Sequence, residues 1–480
     1  MHLVLDGQGA LHAQLTRSLK QAILARRFAA GMRLPATREL AVLLGLSRNT
    51  VLGAYEQLEA EGFIEARTGS GSYVADIAPR ELPTLPKVDR TMRIARFGRR
   101  AQELRAHLPP GRRRLKLRYN LEYGLPLVTP ALQSAWRRAL GKAADDTVLD
   151  YPPANGLPEL REAIAGYLGR RRGLDVDPDD VIVVAGTQQA LDLVARTLLE
   201  PGDSAVIEEP HYQGMRQVLD ALGARVTSVP VDDDGVQTDK LARLKARLAI
   251  VTPSHQFPTG ALLSLPRRLE LLEWAQRQDA WVIEDDYDGE FRHDTRPLAA
   301  LKSLDRDGRV VFIGSFSKVM FPALRLGYLV VPPALREAFH AAKWLVDRGC
   351  PAIEQRALSL LMSSGQFERL VRRTGRLLAE RRAALLRSLE RHCGDTLEVR
   401  GSSAGMHVVA WLRRHRAEQV DALCAAAEKR QLGIYPVAPY FSMPGARGGL
   451  LLGYSALSPA DLAEAGRRLA AVLADVPPAR

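Results

Sequence analysis

The chain has 480 residues, 46% of them apolar, enough to bury a large core and to fill more than one domain. It contains no apolar run of the ~20 residues a membrane span requires and no signal-like h-region at its N-terminus, so a soluble, cytoplasmic protein without a membrane partner is expected. Cys350, Cys393 and Cys424 are too scattered for a disulfide framework or a zinc site, no metal is expected, and the net charge of +12 is concentrated, with 13 Lys/Arg against 4 Asp/Glu in residues 76–118.

In chain order, Leu11, Leu15, Leu19, Ile23 and Leu24 recur at helical spacing and predict a helix over Leu11–Phe28. Gly31 to Pro35 breaks it, and Thr37 is placed to cap a second helix running to Leu44. After the turn Gly45-Leu46-Ser47, a third helix is expected over Arg48–Glu61, burying Val51, Leu52, Tyr55 and Leu58. Two short helices around a glycine-containing turn form a helix-turn-helix, in which the amino end of the second helix enters the major groove. Ser47, Arg48, Asn49 and Thr50 occupy that end, and all can meet phosphates or base edges. Phe63–Arg67 and Gly71–Val74, joined through Thr68-Gly69-Ser70, predict a hairpin wing.

The phrases Arg33-Leu34-Pro35-Ala36-Thr37-Arg38-Glu39-Leu40-Ala41, Gly45 to Val51 and Leu58 to Ile64 closely resemble the winged helix of GntR-type regulators. The resemblance implies that Arg38, Ser47, Arg48, Asn49 and Gly69 touch double-stranded operator DNA. Three units are therefore expected: a winged helix over 1–75, a basic tether over 76–116 and a large domain over 117–480. The tether is rich in Pro and Arg, carries one short helix near Met92–Leu104, and could add sequence-independent affinity for DNA.

From there, short β-branched runs alternate with amphipathic stretches. Val181–Val184, Ser204–Ile207, Arg225–Val229, Leu248–Thr252, Trp281–Glu284 and Val310–Ile313 are predicted strands of an α/β domain with a mostly parallel sheet. Leu397–Val399, Met406–Trp411, Gly433–Pro436 and Leu450–Tyr454 predict a smaller C-terminal α/β lobe. Thr187 and Gln188 lie between a strand and a helix, where a phosphate or a plain helix cap would use the same groups. Tyr212 follows the next strand, as a stacking ring or a core residue. In Glu284-Asp285-Asp286-Tyr287-Asp288, one carboxylate could pair with a protonated ring nitrogen, and Tyr287 lies on the same side of an extended strand as Asp285. A metal site or a solvated turn would also account for this acidic run. Gly314-Ser315-Phe316-Ser317-Lys318 ends the last strand; a lysine there can form a Schiff base with an aldehyde, and Ser315, Ser317 and the following Arg325 suit a phosphate.

Together these loops resemble the fold-type I aminotransferases that bind pyridoxal 5′-phosphate. The resemblance implies Lys318 as the Schiff-base lysine, Asp285 on the ring nitrogen, Tyr287 on the phenolic oxygen and Tyr212 stacked on the ring. It assigns the phosphate to Thr187, Gln188, Ser315, Ser317 and Arg325. Tyr151, in Tyr151-Pro152-Pro153-Ala154-Asn155-Gly156, matches a tyrosine that reaches the partner subunit's phosphate, which implies a homodimer. Winged helix, linker and aminotransferase-like domain in this order resemble the MocR/GabR subfamily of GntR-type transcriptional regulators.

Two positions depart from the aminotransferase pattern. Phe257 replaces the asparagine of Asn-Pro-Thr-Gly, leaving His255 or Gln256 as substitutes, and Leu451 occupies the place of the carboxylate-binding arginine, with Arg447 in the preceding loop either a replacement or, the reading favoured, a solvated arginine. The expectation is therefore a regulator whose operator binding responds to pyridoxal phosphate or to an amine or amino-acid effector reacting at Lys318. Physiological turnover is not expected, although a residual half-reaction is compatible with the site. The alternative is an aminotransferase with an accessory DNA-binding domain.

Overall fold

The structure, a computed structural model, describes residues 3–76, 94–106, 116–146, 150–293, 298–401, 403–442 and 447–478. Most of the expected 76–116 tether lies outside the described residues. The chain divides into two compact units, Met1–Arg93 and Ile94–Arg480.

The first unit contains α1 (Leu11–Leu24), α2 (Thr37–Leu44), α3 (Arg48–Ala60) and the antiparallel hairpin β1 (Ile64–Arg67) and β2 (Gly71–Val74). Leu15, Leu19, Leu40, Val51, Tyr55 and Leu58 form its core. Each fully buried leucine contributes about 2 kcal/mol. Leu11, Leu24 and Leu52, placed on the predicted apolar faces, are 49%, 60% and 40% exposed; each lies off the buried stripe of a short helix, where periodicity cannot fix the boundary of the face. The cap of α2 also differs from expectation: Thr37 is its first helical residue, and Glu39 reaches back to the Ala36 amide at 3.1 Å.

The second unit begins with α4 (Arg96–Ala106), which packs on α8 below and sets Phe97 under the Arg196 guanidinium at 4.9 Å. There follow β3 (Tyr119–Asn120), α5 (Pro130–Asp146), α6 (Pro158–Arg172), β4 (Val181–Val184), α7 (Thr187–Leu198), β5 (Ser204–Glu209), α8 (Gln213–Leu222), β6 (Arg225–Asp232), β7 (Gly235–Val236), α9 (Thr238–Leu241), β8 (Leu248–Val251), α10 (Leu265–Gln278), β9 (Trp281–Asp286), β10 (Val310–Ser315) and β11 (Gly327–Val330). The sheet order is β4-β11-β10-β9-β8-β5-β6-β7. Its strands run parallel except β11, antiparallel to β10 and β4, and β7, antiparallel to β6. Period-two alternation sends Ile182, Val184, Ile207, Ile250, Ile283 and Ile313 to one cluster with α7 and α8, and Val181, Val183 and Phe312 to another with α5, α6 and α12.

The chain continues through α11 (Arg336–Asp347), α12 (Ala352–Ser363) and α13 (Gln366–Cys393) into the small lobe. There β12 (Leu397–Arg400), β13 (His407–Arg416), α14 (Val420–Lys429), β14 (Leu432–Gly433), β15 (Tyr435–Pro436), β16 (Arg447–Gly453) and α15 (Pro459–Asp475) place a four-stranded sheet, β12-β13-β16-β15, beside α13 and α15. Because β4, β5, β8, β9 and β10 share one direction, the loops after them emerge at one edge of the main sheet, which is where open α/β sheets build their sites.

Candidate functional site

A cavity of about 270 Å³ opens at that edge. Of the ten residues expected around a cofactor, nine line it: Thr187 and Gln188 from the start of α7, Tyr212 before α8, Asp285 and Tyr287 at the end of β9, and Ser315, Ser317, Lys318 and Arg325 after β10. Tyr151 does not; it is 82% exposed in a loop before α6.

The phosphate-suited end is built from backbone first. Gly186 caps α7 at φ +92°, and a Cβ there would lie 3.2 Å from the Arg325 guanidinium. Only a glycine lets that cation approach so closely to the amide-rich end of α7. Arg325 also donates to the Ala185 carbonyl at 2.5 Å, and Ser315 Oγ accepts from the Ser317 amide at 3.2 Å. Lys318, half-buried in the turn after β10, donates from Nζ to the Gly124 carbonyl at 2.7 Å.

The acidic run is sorted by strand alternation. Glu284 accepts from the Leu301 and Lys302 amides, both at 2.8 Å, and Asp286 pairs with the buried Arg172 at 2.8 Å. Asp285 and Tyr287 instead line the cavity. Burial first, then the carboxylates of Asp286, Asp288 and Glu208, push the Asp285 carboxyl up to about 8. Its Oδ1 is buried without a hydrogen-bond partner among the described residues. Such an atom suits a cationic N–H brought by a ligand.

Several lining residues were not anticipated: Tyr123, Gly124, Thr252, Asp288, Met406 and His407. In the sequence Asp288 stands out only as part of an acidic run, Thr252, Met406 and His407 only as members of predicted strands, and Tyr123 and Gly124 carry no motif. Of the two suggested substitutes for the missing asparagine, Gln256 is committed elsewhere. It donates to the Pro210 and Phe257 carbonyls, both at 2.7 Å, and accepts from Thr259 Oγ1 at 2.7 Å. His255 is buried beside the cavity wall, with Nδ1 2.9 Å from Asp288 Oδ2 and 2.9 Å from the Tyr287 hydroxyl. Phe257 lines the cavity itself and meets Tyr440 edge-on at 4.9 Å. Leu451 is fully buried with Tyr123, Val409, Val437 and Tyr440. Arg447 does not replace an arginine there: it is not among the lining residues, its side chain is 42% exposed, and it pairs with Glu398 above the Trp411 ring.

In the first unit, Ser47 caps α3 by accepting from the Thr50 amide at 3.1 Å. Arg38 at the start of α2, Arg48 and Asn49 at the start of α3, and Gly69 in the wing turn at φ +74° are all exposed. Thr50 is half-buried and shares a 2.7 Å hydroxyl contact with Ser47.

Comparison with known proteins matches residues 11–74 to the bacterial regulatory proteins of the gntR family and residues 121–469 to aminotransferase class I and II. The chain is 38% identical to the probable rhizopine catabolism regulatory protein MocR of Rhizobium meliloti, over 96% of this chain and 93% of that one. It is 36% identical to the HTH-type transcriptional regulator TauR of Rhodobacter capsulatus, over 97% of each. Among solved structures it resembles LysN, the alpha-aminoadipate aminotransferase of Thermus thermophilus complexed with N-(5′-phosphopyridoxyl)-L-leucine, at a TM-score of 0.68 and 28% identity, over 80% of this chain and 97% of that one. The cavity fits a phosphopyridoxyl group: an orphaned carboxylate oxygen for a ring nitrogen, a tyrosine hydroxyl for a ring oxygen, and a helix amino end with an arginine for a phosphate. The chain belongs to the GntR-type regulators of the MocR kind, which carry a gntR-family DNA-binding domain and an aminotransferase class I and II domain in one polypeptide.

Proposed function

We propose that this chain is a pyridoxal-phosphate-dependent transcriptional regulator, acting in the cytoplasm as a homodimer on operator DNA. The observation that carries the proposal is the cavity itself: its orphaned Asp285 oxygen, Lys318 and Arg325 converge in a chain that also holds a gntR-family winged helix. Bound there, the cofactor supplies an aldehyde carbon that amines attack. Asp285 holds the ring nitrogen protonated, Tyr287 donates to the phenolic oxygen and Tyr212 covers a ring face. Thr187, Gln188, Ser315, Ser317 and Arg325 hold the phosphate. Lys318 brings the amine, kept in place by the Gly124 carbonyl. Asp285 can ionise fully once a cation lies against it, so binding energy and protonation support one another.

On the DNA side, Arg38, Ser47, Arg48, Asn49, Thr50 and Gly69 form the contact set. The dimer draws support from exposed Tyr151, Trp344, Leu345 and Val346, apolar surface that a second copy would cover. Pyridoxal phosphate itself or a small amine is the effector, and it changes operator affinity by binding two conformations of the protein unequally. Operator binding measured with and without pyridoxal phosphate and with candidate amines tests this reading; DNA affinity indifferent to all of them refutes it. Steady conversion of an amino donor and a keto acid at ordinary enzyme rates would favour an aminotransferase instead.

A further inference from the structure

Beside the cavity, half-buried Tyr287 meets a buried pair that the cofactor contacts named so far do not use, Asp288 and His255. His255 Nδ1 stands 2.9 Å from Asp288 Oδ2, 3.1 Å from Asp288 Oδ1 and 2.9 Å from the Tyr287 hydroxyl. Its Nε2 faces the Gly401 carbonyl at 3.5 Å. A ring nitrogen has one in-plane position, filled by a proton or by a lone pair. A carboxylate can only accept, so Asp288 fixes that position as N–H. The Tyr287 hydroxyl cannot then donate to Nδ1, and among the described residues this nitrogen is its one hydrogen-bond contact. Its proton is left for an acceptor in the cavity that Tyr287 lines.

We propose that His255 is a positioning residue: with its Nδ1–H directed at Asp288, it turns the Tyr287 hydroxyl proton into the cavity, onto the ring oxygen of the cofactor. The inference rests on the pyridoxal phosphate reading and adds to it the residue that orients the Tyr287 hydroxyl. The surroundings agree. Burial lowers the His255 imidazole, but the Asp288 charge and hydrogen bond, helped by Gly401, carry it above its ordinary value against Arg292. The neighbouring His407 ring, 5.5 Å away, is held neutral: burial and then the His255 charge bring it down to about 4. Its Nε2 donates to the Pro258 carbonyl at 3.1 Å. Tyr287 stays protonated because burial and then Asp288, Asp285, Glu208 and Asp286 raise it well above the usual phenol. Gly405 leaves room for the pair, since a Cβ there would meet both the His255 ring and Asp288 Oδ2.

The experiment is a pH titration of visible absorbance in the full chain loaded with pyridoxal phosphate. A donor on the ring oxygen favours its anionic form and lowers the midpoint. His255→Leu is expected to raise the midpoint by about one pH unit, and His255→Asn, whose amide can occupy the Nδ1 position, to restore most of it. In a Tyr287→Phe background His255→Leu should add no further shift. Should His255→Leu leave Asp288 too costly to bury, Asp288→Asn keeps the shape and lets Nδ1 accept from Tyr287, again raising the midpoint. Equal shifts in the Tyr and Phe backgrounds, or none in either single variant while Tyr287→Phe shifts, overturn the inference. Absence of any bound chromophore in the unsubstituted chain overturns the cofactor reading and this inference with it.

Discussion

At the amino end of α3, Arg48 and Asn49 stand in solvent on a helix steadied by the Ser47 cap. At the carboxyl end of β9, Asp285 and Asp288 are buried, one with an unpartnered oxygen and the other against His255. On the proposed reading, the first arrangement leaves charge hydrated until DNA arrives, so its affinity would come from released counterions and base-edge contacts. The second holds ionisable groups already stripped of water, so the protein bears a cost that a ligand of the right shape and charge would relieve. One region is ready for its partner because nothing constrains it, the other because nearly everything does.

The contrast can be broken most severely at Lys318. Lys318→Ala is expected to abolish the visible absorbance retained after dialysis against excess buffer while leaving operator binding by the apo protein intact; retained absorbance would remove the lysine from the site. On the other side, Arg48→Ala should weaken operator binding about 10- to 100-fold, or ~1–3 kcal/mol, without altering cofactor retention. A mobility-shift series alongside an absorbance measurement separates the two.

A subtler test lies in the orphaned carboxylate. Asp285 titrates near 8 in the folded protein, against about 4 when unfolded. A raised carboxyl contributes fully below the unfolded value, and its contribution is lost as pH rises from about 4 through 8. Without cofactor, Asp285→Asn should therefore gain thermal stability over the native chain as pH climbs from about 5 to 8. Pyridoxal phosphate should reverse the order by pairing the native carboxylate, and melting curves across that range would show no crossing if Asp285 lay outside the site. The smallest effect is expected at Ser47: Ser47→Ala removes the α3 cap and should cost the winged helix about 1 kcal/mol, read from its unfolding transition.

The cavity also shows which parts of a site can be read from neighbouring residues in a sequence. Ser315, Ser317 and Lys318 belong to one strand end and its turn, and Asp285 and Tyr287 to alternate positions of another. Those relations follow from local geometry. Strand β11 was harder to foresee, because a four-residue run inserted antiparallel between β10 and β4 has no crossover pattern of its own. Leu52 shows the same limit in a helix, where its spacing suits the core but its 40% exposure was settled by how α1 and α2 pack.

Sequence alone determined the order of the units, the strand-end motifs and nine of the residues lining the cavity, because each depends on periodicity or turn chemistry within a short stretch. Tertiary structure decided that Gly124 accepts from Lys318, that His407 closes a wall, that Gln256 is occupied while His255 meets Tyr287, and that Arg447 lies outside. It also decided the surroundings of each acid in the Glu284–Asp288 run. Protonation depends on lost water and on partners from distant strands, and neither is specified by the residues next in line.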